Sequence, residues 1–264
     1  MAQVDLDGRA LEYEFVPGGA PAGRAHGEQV LVFLHEGLGS LALWKDFPRN
    51  VAAASGCSAL VYSRYGYGAS APLLAPREPS FMHQEALSVL PRLLDRLEIH
   101  DPILFGHSDG ASIALIHAAS AGRAVRGLIL MAPHVMVEDI CIRSIAAAKE
   151  TYESSQLGRR LARYHADPDA AFWGWCNIWL DPRFRAWSIE SEVAHVRCPI
   201  LAIQGFDDEY GTMRQVDRIA ELCSDVELMK LEACAHSPHR DQPNAVVAAA
   251  ARQIERLTAR EVRS

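Results

Sequence analysis

The stretch Ile103-Leu-Phe-Gly106-His-Ser108-Asp-Gly110-Ala-Ser-Ile-Ala-Leu-Ile116 reads as a short buried strand, a tight turn and a helix. The strand reading rests on a continuous apolar run, as expected where both faces of a strand are covered. At the turn stands Gly-x-Ser-x-Gly, and a strand-to-helix turn this sharp admits only small residues two positions either side of the serine. Gly106 and Gly110 meet that demand. The turn lifts the Ser108 oxygen above the sheet, at the start of the next helix. The free N–H groups and dipole there favour developing negative charge. The pentapeptide alone is weak evidence, and the strand–turn–helix setting is what makes it a nucleophile motif.

Working outward, similar apolar runs recur at Val30–Leu34, Ala59–Tyr62, Gly127–Met131 and Ile200–Ile203, with a weaker one at Val226–Leu231. Helical patterns lie between them. The segment Phe81–Leu97 has apolar residues at Leu87, Leu90, Leu94 and Leu97, with Ser80 as N-cap and Pro91 as a kink or local start. Helices are also expected over Asp109–Ala121, Thr212–Cys223 and Pro243–Leu257. The opening predicts two strands, 2–6 and 10–16, joined at Asp7-Gly8 as a hairpin, then a Gly/Pro/Ala loop from Pro17 to Gly27. Strand–helix alternation of this kind predicts an α/β fold with a mostly parallel central sheet flanked by helices.

One segment breaks the alternation. Val135 to Val196 holds only helical pattern and four of the five tryptophans, Trp173, Trp175, Trp179 and Trp187. It is read as an inserted helical cap, giving a first core part over 1–134, the cap over 135–196 and a second core part over 197–264. The alternative is a set of peripheral helices that use Trp for packing alone. Phe172, Trp175 and Trp179 share a helical face, which serves equally as core or as pocket lining.

A serine hydroxyl is a poor nucleophile near neutral pH and needs a base, which in turn needs an orienting carboxylate. In this fold type the chain order is Ser, acid, His. Gly205-Phe-Asp207-Asp208 ends a strand in two carboxylates, and Cys234-Ala-His236-Ser-Pro-His239 follows the weaker strand. His236 sits in the post-strand loop where the base belongs.

The His35-Glu-Gly-Leu-Gly-Ser40 loop, the Arg64-Tyr-Gly-Tyr-Gly-Ala-Ser70 turn, the serine elbow, Gly205–Asp208 and the late His236 together resemble the α/β-hydrolase superfamily. The resemblance covers nearly the whole chain. It implies Asp208 as the triad acid with Asp207 as fallback, His236 as base with His239 as fallback, and an oxyanion hole of the Gly37 and Asp109 N–H groups. His35 is expected to brace the oxyanion loop. The sequence departs from the family at Glu36, where Gly is usual. The Glu36 carboxylate is expected to turn away into the loop or to contact substrate. It also departs at Ser63, where many members carry Asp. Arg64 beside it orients the loop or reaches a substrate carboxylate. His134, Trp175 and Trp179 complete the candidate substrate-binding residues. His107 is read as a packed elbow residue.

Composition bounds the partners. With 26 Lys and Arg against 33 Asp and Glu, the net charge of −7 builds no strong field for nucleic acid or an anionic membrane. No apolar run reaches the ~20 residues of a membrane span. The first residues do not read as a secretory signal, and six scattered cysteines without CxxC spacing suggest reduced thiols in a cytoplasmic protein. His236, His239 and Asp241 have no recognised metal-ligand spacing, so no metal is expected. Gly66-Tyr-Gly68 lacks the third glycine and the helix start of a dinucleotide fingerprint, and no cofactor is expected. The expected partner is a small-molecule substrate, and a homo-oligomer is compatible with the sequence.

The reading is therefore a serine hydrolase acting on an ester, thioester, lactone or activated C–C bond of a small, partly apolar carbonyl substrate. The family resemblance also implies two alternatives: a lyase or cofactor-free dioxygenase, and a ligand receptor without catalysis.

Overall fold

The computed structural model describes residues 2–19 and 29–259. Its sheet has eight strands: β1 Ala2–Leu6, β2 Arg9–Val16, β3 Val30–Leu34, β4 Ser58–Tyr62, β5 Ile103–His107, β6 Gly127–Met131, β7 Ile200–Gly205 and β8 Val226–Leu231. They lie in the order β1-β2-β4-β3-β5-β6-β7-β8. The pairs from β4 through β8 are parallel, while β2 runs antiparallel to both β1 and β4. The apolar runs became strands because the centre of such a sheet is covered on both faces; β5 and β6 are buried at every residue. β8 lies at the edge and is half exposed, which is why its pattern is weak.

Asp7 and Gly8 both take positive φ, 57° and 81°, as a two-residue hairpin turn requires. Most of the loop expected over 17–27 lies outside the described residues.

The helices are α1 Phe47–Ser55, α2 Phe81–Gln84, α3 Leu90–Arg96, α4 Asp109–Ser120, α5 Asp139–Ser154, α6 Leu157–Leu161, α7 Pro168–Leu180, α8 Glu190–Val193, α9 Arg214–Leu222, α10 Pro238–Asp241 and α11 Pro243–Ala259. α1 and α11 cover one face of the sheet; α2 to α4 and α9 cover the other. The helix expected over 81–97 is interrupted by a π turn at Glu85–Val89, with Pro91 in the first turn of α3. Pro91 has no N–H to return to the preceding turn, and a wider turn accommodates that loss. Ser80 makes no capping bond, and its Oγ instead accepts from Gln84 Nε2 at 3.0 Å. Leu87, expected on the apolar face, is 40% exposed.

Between β6 and β7 the chain leaves the sheet for α5 to α8. Its two ends are tied together at their base by the bridge between Met136 and Ser188 and by the N–H of Ile189 to the Val135 carbonyl, 2.8 Å. Gln215 on α9 anchors the departure: Oε1 accepts from Val135 N–H at 2.7 Å, and Nε2 donates to the Met136 carbonyl and Glu138.

The topology also positions the site. From β3 the chain crosses outward to β4, then returns to β5 on the other side of β3. The loops leaving β3 and β5 therefore diverge, and a crevice opens between them at the carboxyl ends of the strands.

Candidate active site

Ser108 occupies the turn between β5 and α4 with φ 52° and ψ −119°, a strained conformation for a residue with a side chain. The glycines either side are required by close approach. A Cβ on Gly106 would press on Ala111, and one on Gly110 would run into the Leu34 and His35 carbonyls. Ser108 precedes α4 yet its side chain makes no capping bond. Its backbone is fixed by the bond of its N–H to the Met131 carbonyl, 2.9 Å.

His236 and Ser108 line one cavity, of about 100 Å³. His236 Nδ1–H donates to Asp208, with both carboxylate oxygens at 2.9 Å. Asp208 is buried and clamped from behind. Oδ1 accepts from the N–H groups of Tyr210 (2.8 Å) and Gly211 (3.2 Å), and Oδ2 from Gln204 Nε2 (2.8 Å). Burial opposes ionisation of Asp208, but the His236 charge and these bonds outweigh it and hold the carboxyl below its ordinary range. Burial likewise opposes a charge on His236, and there the Asp208 charge and hydrogen bond prevail and lift the imidazole above its ordinary range.

Of the two acids ending β7, only Asp208 meets His236. Asp207 is exposed, its N–H bonded to the Cys234 carbonyl. His239, the fallback base, is packed among the rings of Trp44, Phe47 and His107 and does not line the cavity. Burial holds its imidazole down to about 3.

The Gly37 and Asp109 N–H groups make no hydrogen bond among the described residues, and both residues line the cavity. Gly37 lies under the Trp175 indole, which any side chain there would strike. The loop is braced by His35, whose Nδ1–H donates to the Glu36 carbonyl at 2.7 Å while Nε2 accepts from Arg64 N–H at 3.1 Å. Burial, then the Arg64 charge, hold His35 well below its ordinary range, consistent with that neutral tautomer. His165, from the insert, bridges the next turn: its Nδ1 accepts from Gly68 N–H and its Nε2–H donates to the Leu38 carbonyl.

The Glu36 carboxylate lies 3.5 Å from His107 Nδ1 and 3.4 Å from Arg240, and it forms part of the cavity wall. Burial opposes its charge, yet its close approach to His107, and then the Arg240 charge, hold it well below the ordinary carboxylate range. His107 Nε2–H donates to the His236 carbonyl at 2.7 Å and so helps fix the loop carrying His236.

Arg64 does not reach the cavity. It is 1% exposed, and its guanidinium donates to the carbonyls of Glu36 (2.8 Å) and His35 (3.2 Å). The substrate role considered for it gives way to loop bracing, because the side chain is buried away from the cavity and its Nη2 donors go to those two carbonyls. Arg64→Lys is expected to lower unfolding free energy by about 2 kcal/mol, the worth of a charged hydrogen bond. Denaturant titration would measure it, and KM should change little.

His134, Trp175 and Trp179 all line the cavity. Burial, helped by the His236 charge, holds His134 down to about 3, so it is a neutral wall group. Phe172 instead stacks on Tyr152, ring centroids 3.7 Å apart, and belongs to the core. Trp179 Nε1–H donates to Asp109 Oδ1 at 3.2 Å, tying the insert to the elbow. The sequence reading missed Tyr210, whose ring lies 4.7 Å from that of His236. Its place two residues after Asp208 was the available signal. Leu38, Cys141 and Ile145 complete the wall.

The fold and site define an α/β-fold hydrolase, and the chain belongs to the alpha/beta hydrolase family, which residues 31–250 match. Several solved structures are similar. MGS-M2, an alpha/beta hydrolase enzyme from a Medee basin deep-sea metagenome library, is 18% identical with TM-score 0.73, over 94% of this chain and 95% of that one. An esterase from Exiguobacterium antarcticum is 16% identical with TM-score 0.74, over 95% and 97%. A meta-cleavage product hydrolase from Pseudomonas fluorescens is 18% identical with TM-score 0.68, over 96% of each. At these identities the likeness speaks for the fold. No curated protein matches the sequence significantly.

All six cysteines are free thiols. Among the described residues no helix is long and apolar enough to cross a membrane, and no group of three His, Cys, Asp or Glu side chains is arranged to hold a metal ion.

Proposed function

We propose that the chain is a serine hydrolase whose triad is Ser108, His236 and Asp208, acting on an ester, thioester, lactone or activated C–C bond of a small carbonyl compound. The observation that carries this reading is the His236–Asp208 hydrogen bond in the cavity that also holds the strained Ser108. With Nδ1–H committed to Asp208, Nε2 is the nitrogen available to take the Ser108 proton. The Ser108 oxygen attacks the carbonyl carbon, and the N–H groups of Asp109 and Gly37 receive the oxyanion. His236 returns the proton to the leaving group. Water, deprotonated by the same imidazole, then releases the acyl group. Each oxyanion donor of this kind is worth about 2.7–4 kcal/mol in the transition state. The small cavity and its Trp175, Trp179 and Tyr210 walls fit a short, partly apolar acyl group. The helical insert acts as the cap that supplies those walls.

The test needs no substrate. A fluorophosphonate probe should label the folded protein stoichiometrically, with the adduct mapped by mass spectrometry to Ser108. A folded protein that takes no label overturns the reading.

The pH dependence follows from His236. The base works when neutral, and its imidazole sits above the ordinary histidine range. The rate, kcat/KM, should therefore fall as pH drops, with the midpoint of the acid limb above pH ~6.5. A pH profile on an aryl ester whose midpoint lies below that would remove His236 as the base.

A further inference from the structure

Asp109 has a side chain that the hydrolytic steps do not use. It is 1% exposed and lines the cavity beside Ser108. One carboxylate oxygen, Oδ1, accepts from Trp179 Nε1–H; the other, Oδ2, is buried with no hydrogen-bonding partner among the described residues. An acid left half-satisfied in an apolar wall is costly, and such a group in a binding cavity calls for a donor on the ligand.

The rest of the wall narrows what that donor is. Among the described residues no Lys or Arg lines the cavity, while a second carboxylate, Glu36, does. Glu36 is already engaged by Arg240 and faces His107, so Asp109 is the acid with an unmet oxygen. The aromatic rings of Trp175, Trp179 and Tyr210 stand around the same space, and ring faces attract cations. His134 is neutral and adds no positive charge. An anionic acyl chain would meet two carboxylates there, and the one side chain of the wall that gains a positive charge is the base itself, His236.

We infer that Asp109 is the specificity-determining residue of the site, its free carboxylate oxygen receiving a cationic nitrogen carried on the substrate a few bonds from the reacting carbonyl. The inference rests on the serine hydrolase reading and names the substrate class for it. Burial pushes the Asp109 carboxyl up; the more distant charges of Arg64 and Arg77 and the Trp179 bond offset this in part. A substrate ammonium against Oδ2 would relieve that burial cost, whereas a methyl group in its place would not.

Boronic acids test this, because boron takes the position of the acyl carbon on an activated serine. Three short analogues would be compared as competitors of fluorophosphonate labelling at Ser108: butylboronic acid, its cationic isostere 3-aminopropylboronic acid, and the anionic 2-carboxyethylboronic acid. The expected order of affinity is cationic, neutral, anionic, with the cation at least ~10-fold tighter than butyl, the scale of one charge-assisted hydrogen bond. Asp109→Asn should bring the cationic and neutral compounds to within about twofold, because the charge that discriminates them is gone. Equal or weaker binding of the cation by the native protein overturns the inference while leaving the hydrolase reading intact. A preference that survives in Asp109→Asn overturns the assignment to this residue. If that variant does not fold, the order of the three compounds on the native protein decides alone. Failure of the fluorophosphonate to label Ser108 at all overturns the hydrolase reading, and this inference with it.

Discussion

Ser108→Ala is expected to lower the turnover of an aryl ester by on the order of 10⁶-fold, the effect seen when a triad nucleophile is removed. The fold should barely notice. The serine side chain makes no capping bond to α4, and the turn is set by the backbone and by the close approach at Gly106 and Gly110. Alanine tolerates the positive φ about as poorly as serine does, so the strain is common to both proteins. Thermal midpoints should agree within a few degrees while the acyl burst disappears. A variant retaining more than about one per cent of turnover would mean that Ser108 is not the attacking group, since the oxyanion hole alone leaves far less.

The second large effect concerns the two adjacent acids. Asp208→Asn should cost about 10⁴-fold in kcat, as in triads where the orienting carboxylate becomes an amide. Asp208 accepts from Gln204, Tyr210 and Gly211 as well as from His236. An amide NH₂ placed among those donors must face one of them, and the relief is to turn its NH₂ towards His236. That moves the imidazole proton to Nε2, the nitrogen that has to accept from Ser108. Asp207→Asn, on an exposed side chain that makes no contact with His236, should change kcat less than about twofold, as surface changes do. The pH profile of the residual Asp208→Asn activity gives a second readout. The carboxylate is what raises the His236 pKa against burial, so its removal should move the acid limb to lower pH. Equal losses from both substitutions, or a larger one at 207, would transfer the orienting role to the neighbour.

Much of this was legible in the chain because it is encoded locally. The buried runs became the parallel strands, the serine pentapeptide became the elbow, and the Trp-rich stretch left the sheet where the strand pattern stopped. The order of Ser108, Asp208 and His236 was readable because each sits just beyond a strand. What was not legible depends on contacts far apart in sequence. Nothing near Arg64 says that its Nη2 donors would be taken up by the His35 and Glu36 carbonyls, 29 and 28 positions earlier in the chain. Asp207 and Asp208 are the same residue type, and only the loop back to Tyr210 decides which turns inward. The π turn at Glu85–Val89 gave no pattern beyond Pro91. The contact of Trp179 with Asp109 spans 70 positions, so the aromatic stripe could not be divided into core and wall in advance.

Trp175 lies on Gly37, His165 holds the carbonyl of Leu38, and Trp179 grips Asp109, the residue after Ser108. All three come from the segment that also shapes the cavity. On the proposed mechanism, substrate range and turnover are therefore inherited together in this protein. A substitution that widens the cavity for a new acyl group also loosens the loop proposed to receive the oxyanion. Variants selected for new substrates should arrive slow at first and recover through changes in the core loops, not in the insert.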